Sequence, residues 1–170
     1  APLYYDGLVI TGFAGAEFAT RGRVKAYDAK TGEHVWTFYT IPEPGQPGSE
    51  SWPKGYEGWD RGGATVWNTP AVDPELGLIY FATGNAGPDL NGAVRAGDNL
   101  YASSIVAIEA KTGKYRWHFQ AVRHDIWDYD LPTPVILFNA EIDGKMRRGL
   151  AGTGKTGWVY LLDRETGEPL

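Results

Sequence analysis

The sequence predicts an all-β fold, a segment of a β-propeller, on three observations. A strand–turn–strand unit closed by Thr-Gly recurs, Gly and Trp are abundant, and no helical periodicity survives beyond about two turns. Val24-Lys25-Ala26-Tyr27-Asp28-Ala29-Lys30-Thr31-Gly32-Glu33-His34-Val35-Trp36 is matched by Ile105-Val106-Ala107-Ile108-Glu109-Ala110-Lys111-Thr112-Gly113-Lys114-Tyr115-Arg116-Trp117. A third copy begins at Val159-Tyr160-Leu161-Leu162-Asp163-Arg164-Glu165-Thr166-Gly167-Glu168. The 23 Gly, 7 Trp and 11 Pro suit many short strands joined by tight turns. Hairpins with a Trp per unit fit blades of roughly 40–50 residues, hence about three to four blades here. A ring of four is at the lower limit for propellers, so a segment of a larger ring is expected. A β-sandwich is the alternative, and it leaves the Thr-Gly repeat unexplained.

From the N-terminus, Leu3-Tyr4-Tyr5 is expected to turn at Asp6-Gly7 into Leu8-Val9-Ile10-Thr11. In the first repeat Gly32 suits a turn position of positive φ. Beyond it, His34, Trp36 and Phe38 fall on one strand face and Val35, Thr37 and Tyr39 on the other. Residues 66–72 are read as a strand that turns at Asp73-Pro74-Glu75-Leu76-Gly77 into a strand at 78–83. The linkers 41–62 and 84–102 are rich in Gly, Pro and Asn, and loops of this size between strands are expected to build a site on a rigid scaffold. Strands at 116–119 and 131–138 flank His124-Asp125-Ile126-Trp127-Asp128-Tyr129-Asp130, which packs three carboxylates, an imidazole and two aromatics into seven residues. So acidic and aromatic a run reads as the floor of a site.

Composition excludes several functions. No apolar run approaches the ~20 residues that span a bilayer. A net charge of −5 without a basic cluster argues against nucleic acid as a partner. The absence of Cys excludes thiolate catalysis, Cys-based zinc sites and disulfides. The chain opens at Ala1 in mid-pattern and stops just after a turn at Leu170, so residues 1–170 are expected to be one partial domain cut from a longer protein, whose targeting signal would lie elsewhere.

The Ala/Asp-x-x-Thr-Gly-x-x-x-Trp repeat resembles the tryptophan-docking motif of the eight-bladed quinoprotein dehydrogenases, which use pyrroloquinoline quinone (PQQ). The resemblance covers the whole chain. It is carried also by Gly15-Ala16-Glu17 followed by Arg21-Gly22, by Gly62-Gly63-Ala64-Thr65-Val66-Trp67, by Thr83-Gly84-Asn85, and by the acidic heptad. It implies a PQQ- and metal-dependent alcohol dehydrogenase, periplasmic in its full form, that passes electrons to a cytochrome c or a quinone. An alcohol is the implied substrate. The Asp130-Leu131-Pro132 run leans toward the sugar-oxidising branch. The rest of the propeller chain is an implied partner.

The resemblance also assigns residues. Glu17, Asn85 and Asp128 would ligate the metal, and two carboxylates with an amide oxygen form the hard donor set that suits Ca²⁺. On the residues alone, each is equally a loop acid or a turn Asn. Asp128 would also be the base that removes the alcohol's hydroxyl proton. Asp130 matches the extra acid of the lanthanide-using branch, and its bland reading is a cap before Pro132. Trp67 would lie under the quinone, and Thr65 would hydrogen-bond the cofactor. Lys155 would stabilise charge developing on the reduced quinone. Ala14 stands where a Ser is common, which leaves the Gly15 and Ala16 amides for the cofactor. His124 and Asp125 are expected to order the loop. Trp127, Trp52, Tyr56 and Trp59 are candidates for cavity walls. Two other readings differ in class: a non-catalytic propeller scaffold, which predicts no converging ligands, and a carbohydrate-binding sandwich built on the aromatic loop 52–59.

Overall fold

Eleven strands form three antiparallel sheets in a computed structural model that describes residues 1–170. The first sheet has the order β1 (Leu3–Tyr5), β2 (Leu8–Thr11), β3 (Arg23–Asp28), β4 (His34–Tyr39). The second is β5 (Ala71–Asp73), β6 (Leu78–Ala82), β7 (Ser104–Glu109), β8 (Tyr115–Gln120). The third pairs β9 (Ile136–Ile142) with β10 (Lys145–Thr153) and β10 with β11 (Val159–Asp163). Within each sheet every strand neighbours the next in sequence.

The sheets pack face to face, and the period-two alternation of the middle sheet explains how. Ile79, Phe81, Val106 and Ile108 join Ile10, Val24, Ala26 and Trp36 in one core. Leu78, Tyr80, Ala82, Ile105 and Ala107 face the other way, onto Val135, Leu150 and Leu162. With both faces covered, β6 and nearly all of β7 are buried, and they read as continuous apolar runs rather than alternating ones.

The repeat registers one sheet on the next. Gly32, Gly113 and Gly167 all have positive φ (75°, 70° and 80°), and each amide donates to the carbonyl four residues back, at Asp28, Glu109 and Asp163. Trp36 Nε1 donates to Ala110 O in the second sheet (3.1 Å), and Trp117 Nε1 donates to Arg164 O in the third (3.3 Å). The indoles lie so close to the turn glycines that a Cβ on Gly113 or Gly167 would sit 2.6 Å from the ring. A buried Asp73–Arg164 ion pair (2.8 Å) also joins the second sheet to the turn after β11.

Three elements differ from the sequence reading. The strand expected at 66–72 is cut to Ala71–Asp73: Pro70 has no amide to give the ladder, Asn68 Nδ2 donates to Ala82 O in its place, and Val66 crosses to bridge Phe13. The strand expected at 131–138 starts only at Ile136, after Pro132 and Pro134, and runs on to Ile142. It turns at Asp143-Gly144, both of positive φ, into β10, a hairpin the sequence did not announce. The long linkers are ordered. Short 3₁₀ helices occupy Ser49–Ser51, Gly58–Arg61 and Gly92–Val94, and Ile41, Trp52, Ala64, Ala86 and Ala102 form a core of their own.

Candidate active site

A belt of main-chain hydrogen bonds runs across the loops at the strand ends and draws the singled-out segments together. Val66 N donates to Phe13 O, Gly63 N to Thr20 O, Ala64 N to Asn85 O and Gly84 N to Thr65 O. Ser103 N then donates to Gly84 O, Leu131 N to Thr83 O, and Lys155 N to Asp130 O. Six of the eight non-glycine residues with positive φ lie on these loops: Ala19, Ala64, Asn99, Ser103, His124 and Asp128. Such backbone is disfavoured for L-residues and persists where its surroundings over-determine it.

At one end of the belt Lys155 gathers the two acids of the heptad. Its Nζ lies 2.7 Å from Asp128 Oδ2 and 2.6 Å from Asp130 Oδ2. Asp130 is buried, and its other oxygen accepts from the Asn85 amide at 2.7 Å. Burial pushes its carboxyl above the usual range, against the pull of Lys155 and the Asn85 N–H. Burial acts to lower Lys155, but hydrogen bonds to Asp128 and Asp130 prevail and raise it.

Asn85 is itself buried, and its Nδ2 donates to Asp89 Oδ1 (2.6 Å) and Ala86 O, which assigns Oδ1 as the free acceptor. Glu17 stands apart from the other three candidate ligands. It is exposed on a short 3₁₀ helix and lines a cleft of about 660 Å³ that also holds Ala16, Tyr56, Arg61 and Asp89. No three Asp, Glu or His side chains gather closely enough to hold a metal alone, and the Lys155 ammonium is the cation that Asp128 and Asp130 share.

Trp67 is 41% exposed, and its six-membered ring rests on Gly84. A Cβ on Gly84 would lie 2.5 Å from that ring and 3.0 Å from Asp130 Oδ1, so only Gly lets the indole approach the carboxylate. Ala14 and Trp67 line a common hollow of about 290 Å³. Thr65 is buried beside them, and Gly15 (φ 99°) takes Phe18 N and Thr20 Oγ1 on its carbonyl.

Most of this chain is recognisable elsewhere. The family described as "PQQ: Glucose/ethanol/alcohol dehydrogenase, beta-propeller domain" matches residues 1–170. The chain belongs to this family. It is 44% identical to the quinohemoprotein alcohol dehydrogenase ADH IIB of Pseudomonas putida, over 99% of the chain and 26% of that protein. The quinohemoprotein alcohol dehydrogenase of Comamonas testosteroni superposes with a TM-score of 0.92 at 38% identity, over 99% of this chain and 27% of that one. A europium-containing methanol dehydrogenase does so with a TM-score of 0.91 at 36% identity, over 99% and 32%. The chain thus spans about a quarter of the length of the curated relatives it matches. Three sheets of three to four strands are what part of such a PQQ propeller domain supplies.

Several residues of this quinoprotein domain carry the site without a sequence signal. Arg95 is fully buried; its guanidinium donates to Pro88 O, Asp89 O, Asn99 Oδ1 and Asp125 O. It ties the loop of Asn85 to the loop of Asp128. Asp89 sets the Asn85 amide. Arg95 works mainly through carbonyl oxygens, one of them thirty residues away at Asp125, and Asp89 through a loop fold that brings it back onto Asn85, so no motif or periodicity marks either. His124 Nδ1 meets Gly97 O at 2.8 Å, and the Asp125 carboxylate is buried within its own loop. Trp127 and Tyr129 stack at the surface, with centroids 6.0 Å apart. Trp52 and Tyr56 stack on each other within the loop 42–59.

Proposed function

We propose that this chain forms part of the active site of a PQQ- and metal-dependent dehydrogenase that oxidises an alcohol and passes electrons to a cytochrome c or quinone. The observation that carries the reading is the cluster of Lys155, Asp128 and Asp130 beside the exposed Trp67. An ammonium, two carboxylates and an aromatic platform are the parts that alcohol oxidation at a quinone needs, and the family supports the same reading. The three sheets are then consecutive blades of an eight-bladed ring, and Trp36 and Trp117 are its docking tryptophans. The full-length protein is periplasmic on this reading.

The residues fit the cofactor. A half-exposed indole held by Gly84, next to the hollow lined by Ala14, offers a planar ring system a stacking face. Ala14, Gly15, Ala16 and Thr65 would hold its rim. The chemistry of the donors suits a hard cation as well: Asn85 Oδ1, Asp128 and the buried Asp130 offer oxygen only, and Glu17 would have to join them from the neighbouring cleft. Ca²⁺ is the proposed ion, with a lanthanide as the alternative that Asp130 would favour. When bound, PQQ supplies the two-electron acceptor chemistry.

The chain's own side chains do the rest. Asp128, 47% exposed, takes the hydroxyl proton of the alcohol, and a positioned base contributes roughly a hundred- to ten-thousand-fold. Lys155 stays protonated across the neutral range and stabilises negative charge that develops beside it. Trp67 orients the acceptor.

Reconstitution of the full-length protein with PQQ plus Ca²⁺ or La³⁺, read by dye reduction across alcohols and aldoses, tests the reading. Activity that requires both additions is expected. Its absence on every alcohol and aldose overturns the proposal, and activity confined to aldoses moves it to the sugar-oxidising class.

A further inference from the structure

We infer that Asp125 is the positioning residue for Asp128, and that it acts by holding the backbone of Asp128 in the left-handed region. The inference rests on the reading of Asp128 as the base. Asp128 has φ 63°, a conformation disfavoured for a non-glycine residue that persists where its surroundings over-determine it. The Asp125 carboxylate imposes it from both sides. Oδ1 accepts from Trp127 N (2.9 Å) and Oδ2 from Tyr129 N (2.7 Å), the amides that immediately precede and follow Asp128. One carboxylate therefore straddles the residue and fixes the turn that delivers its side chain to Lys155.

The clamp is anchored in turn. Asp125 is 2% exposed, its Oδ2 also accepts from the buried Ser103 hydroxyl (3.0 Å), and its carbonyl accepts from the buried Arg95 guanidinium. Arg95 also holds Pro88 O and Asp89 O, so the frame that fixes Asp125 is the one that carries Asn85. Asp125 touches neither Lys155 nor Asp130 through its side chain. Its effect on the reaction passes through the backbone geometry of residues 127–129.

Only a carboxylate serves all three donors. Asn at 125 keeps the size, but its NH₂ group must face either Trp127 N–H or Tyr129 N–H, and two donors do not pair. Asp125→Asn thus releases one side of the turn with little change in packing. Supporting groups of this kind typically contribute 10- to 100-fold in activity.

The test uses the full-length protein. Asp125→Asn is expected to lower kcat per bound PQQ by about 10- to 100-fold, to leave KM for the alcohol within about twofold, and to speed amide exchange of the peptide 126–130 in the cofactor-free protein. Ser103→Ala keeps the carboxylate, removes the hydroxyl that pins it, and is expected to move kcat and exchange in the same direction by a smaller factor. It serves if Asp125→Asn does not fold. A variant with unchanged exchange at 126–130, or one whose kcat loss is matched by lost PQQ binding alone, overturns the inference. Asp128→Asn is measured alongside. If it retains full activity, the reading of Asp128 as base falls, and amide exchange alone then decides whether Asp125 holds the turn.

Discussion

Lys155 is joined to Asp130 twice, by its ammonium to Oδ2 at 2.6 Å and by its own amide to the Asp130 carbonyl at 3.0 Å. The main-chain bond places the lysine whatever its side chain does, so a substitution there changes charge without moving the turn. Lys155→Ala is expected to leave the buried Asp130 carboxylate with the Asn85 amide alone, at a cost of about 1–3 kcal/mol in urea unfolding. Lys155→Arg, which keeps the charge, should recover most of it.

Gly84→Ala tests the seat of the indole. The added methyl would enter the Trp67 ring at 2.5 Å and approach Asp130 Oδ1, so the ring must lift. PQQ binding followed by spectroscopic titration is expected to weaken at least tenfold. Equal affinity would remove Trp67 from the cofactor site.

Gly113 and Gly32 occupy equivalent turns with nearly the same φ, but a Cβ on Gly113 meets Trp36 and a Cβ on Gly32 meets nothing within 4 Å. Alanine at Gly32 should cost the backbone term alone, about 1–2 kcal/mol. Alanine at Gly113 should cost about 1–3 kcal/mol more through overpacking. Chemical denaturation of the two variants isolates the contribution of the Trp contact.

Asp73 and Arg164 lie 2.8 Å apart, both almost wholly buried, with the contact bent away from hydrogen-bond geometry. Asp73→Ala strands the guanidinium between sheets and is expected to cost about 3–5 kcal/mol in denaturant unfolding. Replacing both partners with apolar residues should cost much less.

His118 gives a pH signature. Burial lowers its pKa, opposed by the charge of Glu50; its Nδ1 meets Tyr115 OH at 2.8 Å and its ring stands edge-on to Tyr101. The unfolded chain therefore takes up the proton more readily than the folded one. The stability this site contributes is present above about pH 6.5 and is lost as pH falls through the lower folded value. A pH series of unfolding midpoints should show that loss, and His118→Gln should flatten it.

What the sequence made legible was local. Turns closed by Gly32, Gly113 and Gly167, the alternation about Trp36, and Asn85 placed just past an apolar strand all depend on neighbours a few residues away. The hairpin at Asp143-Gly144 escaped because its strands carry Asn139, Glu141, Lys145, Arg147 and Arg148, too polar to show a buried stripe. The strand at 66–72 was overread because an Asn side chain can replace a ladder bond, which no periodicity reveals. Arg95 and Asp89 were invisible for a related reason: they bond to carbonyls and an amide through an irregular loop conformation, and in the case of Asp125 across to a second loop, which only the fold determines.

The indole bonds also set an order in time. Trp36 has no carbonyl to donate to until Ala110 has been synthesised and folded into its turn, and Trp117 waits likewise for Arg164. The first and second sheets are each finished by the one that follows, so during translation their stability is expected to advance one repeat behind the segment just made. A pause after the second sheet would leave Trp117 without its acceptor while Trp36 is already fixed.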